Sequence, residues 1–465
     1  MEADGTSTRK RKSAALEGCR PAPASASGAA DPGSGDDDGG GPDKDLVDRI
    51  SSLPNEILGE IISLLPIEQG ARTRILAKRW RHLWSSSPLN LDFHHITHSW
   101  YRILHVVLCI ISSHQGPGRR FRTSWLQSPN YKHAVEACLL SPALDNLQEL
   151  ELVSWQGHPI PASVFRFSPT LCSAYIGDCS LPDATVQGIQ FPLLKQLRLV
   201  QSSISEGSLH RMIANCPSLE CLLIYSCTGS RSLRINSPVL TSVGVKNYSK
   251  DAPMIEELII ESAPRLESLL HLDEHQGLRV SVLSAPNLET IGCTNATRLV
   301  FGSTEIQGLH VVRLGTGLCT IKCLALRMCT LSLDMVIELL RCFPCLEKLY
   351  IQCNKPGKSN VWRRKHQNLI GHLEIPLKKV VLNFYWGTKS DVDFVNFFAL
   401  NAGRLETMTL MIKNYSEDFL VKQRQKLQLE NMASNGARLN FTTYCHHNLM
   451  DRKYFHDNCV CKNYF

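Results

Sequence analysis

Two groups of residues have the types and spacing that could support chemistry. The first is Gly357-Lys358-Ser359, which follows an expected strand and matches the end of a phosphate-binding loop. That loop requires an earlier glycine at position 352, which is Gln352, so the backbone cannot wrap a phosphate in the usual way. We interpret the surrounding basic loop as a solvated insertion that could also meet an acidic target or a phosphate. Its members are Lys355, Lys358, Arg363, Arg364 and Lys365.

The second group consists of zinc-capable side chains close to the end of the sequence. They are Cys445, His446, His447, His456, Cys459 and Cys461. Their spacing matches no paired zinc knuckle, and a Cys-x-Cys pair forms a strained chelate. Nucleophile-elbow, zinc-protease and dinucleotide-loop signatures are absent from the sequence as well. The sequence therefore predicts no catalytic residue, no cofactor and no bound metal.

The composition favours a multidomain protein without a membrane span. The 465 residues leave room for two or three domains, and the net charge of +7 is mild for this length. The 18 cysteines without a secretory signal predict free thiols in a reducing compartment, the nucleus and/or the cytoplasm. The longest apolar run, from Ile103 to Ile111, is too short to cross a bilayer and predicts a buried helix.

Residues 1–43 differ in composition from the rest, because they contain almost no large apolar side chains. Such a segment cannot offset its ordering entropy, so we expect a disordered tail. Its basic run, Arg9-Lys10-Arg11-Lys12, fits a nuclear import signal and a solvated charge cluster equally well.

The residues between Asp48 and Trp84 predict a small helical unit. Pro54 suits the first turn of a helix, because a backbone N–H at that position would have no partner within the helix. Glu56 complements the helix dipole. Apolar residues then recur at helical spacing until Pro66. They are Ile57, Leu58, Ile61, Ile62, Leu64 and Leu65. A second stripe follows at Leu76, Trp80, Leu83 and Trp84.

This stretch resembles the F-box, the helical module that docks on Skp-type adaptors of cullin–RING ubiquitin ligases. The resemblance rests on the Leu-Pro, Leu-Leu-Pro and Arg-Trp-x-x-Leu-Trp patterns, with modest departures at Asn55 and Gly70. It implies that the adaptor contacts are Leu53, Pro54, Ile57, Leu58, Ile61, Leu64 and Leu65. A module of this size needs a partner or a neighbouring domain to cover its apolar surface. The alternative is an ordinary helical hairpin packed on the rest of the chain.

A repeated Pro-x-Leu-x-x-Leu-x-Leu pattern dominates the sequence from about residue 144. Its leading prolines are Pro169, Pro192, Pro217, Pro238, Pro264 and Pro286. Successive prolines lie 23, 25, 21, 26 and 22 residues apart, within the period of leucine-rich repeats. Each strand–helix unit has an apolar edge that it cannot bury alone, so we expect the units to stack as a solenoid.

A second resemblance covers the region after the repeats. The segment from Ile375 to Ile412, together with Lys426 to Asn431, is similar to the FBD region of plant F-box proteins. The expected fold is α/β, with a three-helix F-box, an irregular leucine-rich-repeat solenoid and a C-terminal FBD region. The expected boundaries are a disordered tail (1–43), the F-box (45–93), a connecting helical segment (94–143), the repeats (144–374), the FBD region (375–441) and an irregular tail (442–465).

The middle residue of each Leu-x-Leu strand points away from the core and so defines a possible target-binding face. These residues are apolar or small in the central repeats, which predicts a target contact of limited charge. The candidates are Tyr175, Arg198, Leu223, Leu270 and Tyr350. In the alternative arrangement, irregular insertions or the FBD region cover this face.

The order of these segments implies a substrate-recognition subunit. The F-box would hold a Skp-type adaptor, and through it a cullin, while the repeats would capture a target protein for ubiquitination. The alternative is an adaptor-binding scaffold that acts outside a ligase. Nucleic-acid binding is the weakest alternative, because the sequence shows no aromatic platform or recognition helix.

Overall fold

The structure is a computed structural model that describes residues 50, 52–92, 100–123, 129–247, 254–271, 277–294, 298–315, 318–355, 374–412, 416–427 and 432–443. The predicted disordered tail, the basic run at 9–12, the glycine-lysine-serine loop and the zinc-capable tail residues lie outside these ranges. The chain divides into two units, Met1–Ser52 and Leu53–Phe465, and the elements below belong to the second.

Ten helices and twenty-one strands lie in the described ranges. The helices are α1 (Asn55–Leu64), α2 (Ile67–Arg72), α3 (Lys78–Ser86), α4 (Trp100–Ser113), α5 (Pro129–Leu139), α6 (Asp183–Val186), α7 (Glu206–Ala214), α8 (Leu333–Cys342), α9 (Lys389–Asn401) and α10 (Glu417–Lys426). Short 3₁₀ turns lie at Thr73–Ile75, Pro142–Leu144 and Ala162–Phe167.

The strands up to the middle of the chain are β1 (Leu89–Asp92), β2 (Gly118–Thr123), β3 (Glu149–Pro159), β4 (Ser173–Leu181), β5 (Gln196–Val200), β6 (Ser203–Ile204), β7 (Cys221–Tyr225), β8 (Ser232–Asn236), β9 (Ser242–Lys246) and β10 (Glu257–Ser262). The later strands are β11 (Ser268–His271), β12 (Arg279–Val282), β13 (Thr290–Thr294), β14 (Arg298–Phe301), β15 (Thr304–Gln307), β16 (His310–Arg313), β17 (Cys323–Thr330), β18 (Lys348–Lys355), β19 (Lys379–Asn383), β20 (Thr407–Ile412) and β21 (Arg438–Thr443).

The main sheet is parallel and has the order β1-β2-β3-β4-β5-β7-β9-β11-β13-β17-β18-β19-β20-β21, with β6 paired to β4. This sheet confirms the predicted repeat architecture, because the Leu-x-Leu positions form its buried face. Leu197, Leu222 and Val243, for example, are direct cross-strand partners and are all buried. The sheet also extends through β1 and β2, which precede the expected start of the repeats at 144.

A second sheet, ordered β16-β15-β14-β12-β10-β8, covers the other side of the core in the central repeats. Helices such as α7 and α8 connect successive main strands up to β7 and from β17 onwards. Between β7 and β17, strands of the second sheet form these connections. The reason lies in the sequence, since Leu233 and Ile235, like Val280 and Val282, alternate with polar residues at the period of a strand.

Helix α7 closes the exposed edge of this second sheet at β8. The Glu206 carboxylate accepts hydrogen bonds from the backbone N–H groups of Arg231 and Ser232, at 3.3 and 3.0 Å. His210 Nε2 accepts one from Arg234 N–H at 3.0 Å. These contacts occupy edge N–H groups that would otherwise be open to pairing with another chain.

Helix α4 confirms the helix predicted from the apolar run at 103–111. It buries Val107 and Ile111, while Val106 is exposed. Within the described ranges, the helices are too short or too polar to cross a membrane.

Candidate functional site

Helix α1 exposes a row of large apolar side chains. It begins after Pro54, and Arg79 of α3 holds this end, donating from Nε to Asn55 Oδ1 at 2.9 Å and from Nη2 to the Leu53 carbonyl at 2.6 Å. Ile57, Ile61 and Leu64 are 49%, 39% and 79% exposed. Clustered aliphatic side chains in water mark a surface that binds an apolar partner.

The remaining predicted adaptor contacts are placed differently along the same helix. Pro54 is exposed, while Leu53 and Leu65 are partly buried. Leu58 is fully buried, packed with Ile62, Trp80 and Leu83 in the core of the helical module. The expectation of a direct adaptor contact is therefore corrected for Leu58, because its position on the stripe faces α3 and not solvent.

Two further exposed apolar residues in this module did not figure among the predicted contacts. Ile75 and Leu76, at the 3₁₀ turn between α2 and α3, are 83% and 65% exposed. Helical spacing grouped Leu76 in one apolar stripe with Trp80, Leu83 and Trp84. Their exposure follows from the change from α-helix to 3₁₀ turn, which rotates the side chains that follow and which helical spacing does not indicate.

The C-terminal end of α3 is attached to the loop that leads into β2. The backbone N–H groups of Gln115 and Gly116 donate to the Ser85 carbonyl at 2.9 and 3.0 Å. His114 Nε2 lies 2.7 Å from the Trp84 carbonyl, and its Nδ1 lies 3.1 Å from the Gly116 N–H. Because Nδ1 accepts from this N–H, the neutral ring carries its proton on Nε2 and donates it to Trp84. Burial lowers the pKa of His114 below its ordinary value, which favours this neutral form.

Two glycines of this junction have no room for a side chain. A Cβ on Gly116 would overlap the carbonyl oxygen of Ser87, and one on Gly118 would overlap the side chain of Leu144. Strand β1 leaves α3 almost directly and pairs in parallel with β2. The helical module and the repeats are therefore joined by backbone hydrogen bonds and close packing.

The outward face of the main sheet, opposite its buried leucines, begins with matched charges. Arg120 forms a bidentate ion pair with Glu149, at 2.6 and 2.9 Å. Arg122 Nη1 lies 3.0 Å from Asp92 Oδ2 on the neighbouring strand. Since these opposite charges lie on adjacent strands, the arginines and carboxylates on this part of the face neutralise each other.

The central outward face is closed, contrary to the predicted open apolar contact. Leu223 and Leu270 are each 2% exposed, and both lie outside the main buried cluster. A Cβ on Gly244 would lie 2.8 Å from Leu223 Cδ1, and one on Gly292 would overlap Leu270 Cδ2. The two leucines therefore lie across glycines of the next strand, which corrects the expectation that they contact a target.

Tyr175 and Arg198, the earlier candidates on this face, are also buried. Tyr175 packs with Val153 and Val200 in a small separate cluster. Burial lowers the pKa of Arg198, while the nearby Glu151 carboxylate acts in the opposite direction. Tyr350 is different, because it is only half-buried and Lys379 Nζ lies 5.5 Å from the centre of its ring. It is the candidate that remains accessible.

The described residues contain no cluster of three or more His, Cys, Asp or Glu side chains that could hold a metal ion. Their buried thiols are poor nucleophiles, because burial raises the pKa of Cys138, Cys216 and Cys353 to about 12.

Comparisons with known proteins agree with these elements. The F-box domain family model matches residues 50–92, and the FBD family model matches residues 366–410. A third family model, described as the LRR repeats of FBD-associated F-box protein At5g56370, matches residues 135–351.

Similar proteins in Arabidopsis thaliana cover most of the chain. F-box/FBD/LRR-repeat protein At3g26920 is 26% identical over 432 residues, which is 85% of this chain and 96% of the relative. F-box/FBD/LRR-repeat protein At3g52680 is 23% identical over 434 residues, or 85% of this chain and 93% of the relative. F-box/LRR-repeat protein 25 is 27% identical over 208 residues, covering 43% of this chain and 77% of the relative.

Proposed function

Because the chain belongs to the plant F-box/FBD/leucine-rich-repeat family, we propose that it is the substrate-recognition subunit of an SCF-type cullin–RING ubiquitin ligase. The F-box docks on a Skp-type adaptor, and through it on a cullin. The main sheet and the FBD region hold a target protein. The chain itself is a non-catalytic subunit, and its contribution to ubiquitin transfer is proximity.

The exposed apolar face of α1 carries this proposal. Ile57, Ile61 and Leu64 project from a helix whose own core is already filled by Leu58 and Ile62. While these side chains are exposed, the free protein lacks the stabilisation that their burial would provide. A partner with a matching apolar groove recovers it, which is the physical basis of docking a helix face.

Capture from a plant cell extract tests the proposal. The native chain should co-purify with a Skp-type adaptor and with a cullin, and addition of ubiquitin-charged conjugating enzyme should produce conjugates. A folded native chain that captures no adaptor would refute the docking role.

The second candidate function is an adaptor-binding scaffold that acts outside a ligase. The same apolar face of α1 supports it equally, because adaptor docking is common to both functions. Adaptor capture without cullin would favour the scaffold, whereas capture of both would favour the ligase.

A further inference from the structure

The outward face of the last five main strands, β17 to β21, differs in charge from the rest of the sheet. Its alternating side chains contain four cations and no carboxylate. The cations are Arg327, Lys348, Lys379 and Arg438, which we term the C-terminal basic face. Lys348 and Arg438 are exposed, and Lys379 is half-buried.

Cross-strand register places three of these cations, Lys348, Lys379 and Arg438, in one row across the sheet. Lys348 and Lys379 are direct partners on β18 and β19, and Thr407 separates Lys379 from Arg438 on β21. Like charges directly opposite each other destabilise a sheet. Neighbouring strands lie about 4.8 Å apart, so Lys348 and Arg438 span about 14 Å, or roughly four residues of extended peptide.

The described carboxylates do not neutralise Lys348, Lys379 or Arg438. Glu347, one residue before β18, pairs with Lys378 at 3.0 Å, and Glu374 pairs with Arg404 at 2.8 Å. Within the described ranges, Lys348, Lys379 and Arg438 form no ion pair. On the first strands of the same sheet, by contrast, Arg120 and Arg122 form ion pairs with carboxylates.

We propose that the C-terminal basic face binds an anionic segment of the target protein, rich in carboxylates or phosphates. The inference rests on the proposed function, because it names the chemistry of the target that the ligase subunit selects. Tyr350 lies within this face, and the contact of Lys379 Nζ with its ring, 5.5 Å from the ring centre, holds the ammonium group on the face. Thr407, Thr409 and Asn440 add polar side chains along the same strands.

The occupant is a protein segment and not a nucleic acid. Single-stranded nucleic acids are bound on several aromatic platforms, on which successive bases stack. On the outward side of β17–β21 the alternating residues include a single aromatic side chain, Tyr350, and Lys379 covers its ring. A linear row of cations with one ring suits an extended acidic peptide.

Fluorescence anisotropy on the full chain tests the proposal. The probes are short labelled peptides in which Ser alternates with Glu, with Gln, or with phosphoserine. The Glu and phosphoserine peptides should bind at physiological ionic strength, and the Gln peptide should not. Lys348→Gln/Lys379→Gln should weaken binding about tenfold, the effect of removing two partly exposed charge contacts.

A matched control is Lys422→Gln/Lys426→Gln, which removes the same charge from exposed positions on α10. It should change affinity less than about twofold, within the range of non-specific charge effects. The stronger of the two anionic peptides identifies the source of the negative charge. Equal losses in both variants, or no binding of either anionic peptide, would overturn the proposal.

Two further measurements keep this proposal separate from the ligase role. A single-stranded oligonucleotide of equal charge that binds as tightly as the peptides, with the same loss in Lys348→Gln/Lys379→Gln, would overturn the assignment to a protein target. Adaptor capture should be unchanged in that variant, because both lysines lie on β18 and β19, far along the sheet from α1. Peptide binding without adaptor capture by the native chain would refute the proposed function and leave the anionic-segment site supported.

Discussion

Replacing the exposed face of α1 should abolish adaptor capture without unfolding the protein. The change is Ile57→Ala/Ile61→Ala/Leu64→Ala. Fully burying such a side chain is worth roughly 1.5–3 kcal/mol. Weighted by their exposed fractions, the three residues contribute roughly 2.5–5 kcal/mol to docking. Truncation to alanine removes most of this, so the Kd for a purified Skp-type adaptor should rise on the order of a hundredfold or more.

Isothermal titration calorimetry with the purified adaptor measures this change, and thermal unfolding shows whether the variant is folded. The matched control is Leu193→Ala/Leu283→Ala/Val312→Ala, which removes three similarly exposed aliphatic side chains from the repeats. The control should leave the Kd unchanged. A folded α1 variant with native affinity, or an equal loss in the control, would refute the reasoning that this face is the docking surface.

The remaining predictions concern the module core, the junction and its pH response. Leu58→Ala should lower the free energy of unfolding of the helical module by about 2–5 kcal/mol, because it empties a fully buried position; chemical denaturation followed by tryptophan fluorescence checks this. Gly116→Ala should destabilise the protein, because the new methyl group overlaps the Ser87 carbonyl; Gly403→Ala, where the added carbon meets nothing within 4 Å, is the control in the same thermal scan. Acidification below pH 6.5, the ordinary pKa of histidine, should reduce stability, because the folded state lowers the pKa of His114 and binds fewer protons than the unfolded state. The loss begins near the unfolded-state pKa and grows until pH reaches the lowered folded-state value. His114→Asn should flatten this part of the stability profile, and an unchanged profile would contradict the assignment.

The sequence predicted helix α1 and the repeat period, because both depend on local spacing. Pro54 and Pro66 bracket the helix, and the Leu-x-Leu pattern specifies which side of each strand is buried. Spacing alone did not distinguish Leu58 from Ile57. The apolar stripe of α1 is wide enough to have a buried and an exposed half, and the position of α3 decides between them.

For outward-facing residues as well, local spacing predicts the direction of a side chain and not its burial. Alternation along a strand predicted that Leu223 and Leu270 point away from the main core, yet it could not reveal what covers them. Their burial depends on Gly244 and Gly292, which admit the leucine side chains and lie on the neighbouring strands, 21 and 22 residues further along the chain. Coverage of this kind follows from cross-strand register, which is a tertiary property.

Under the proposed function, the junction between α3 and β2 has a consequence for how a target is held. A protein that acts by proximity must hold its target at a defined position, since an unconstrained tether spreads the target over a large volume and lowers its effective concentration. Here β1 follows α3 within a few residues and joins the main sheet directly, and the Ser85 carbonyl ties the loop before β2 to the same helix. Any target held on the sheet therefore keeps a fixed relation to the α1 face, which a ligase requires and a simple sequestering scaffold does not.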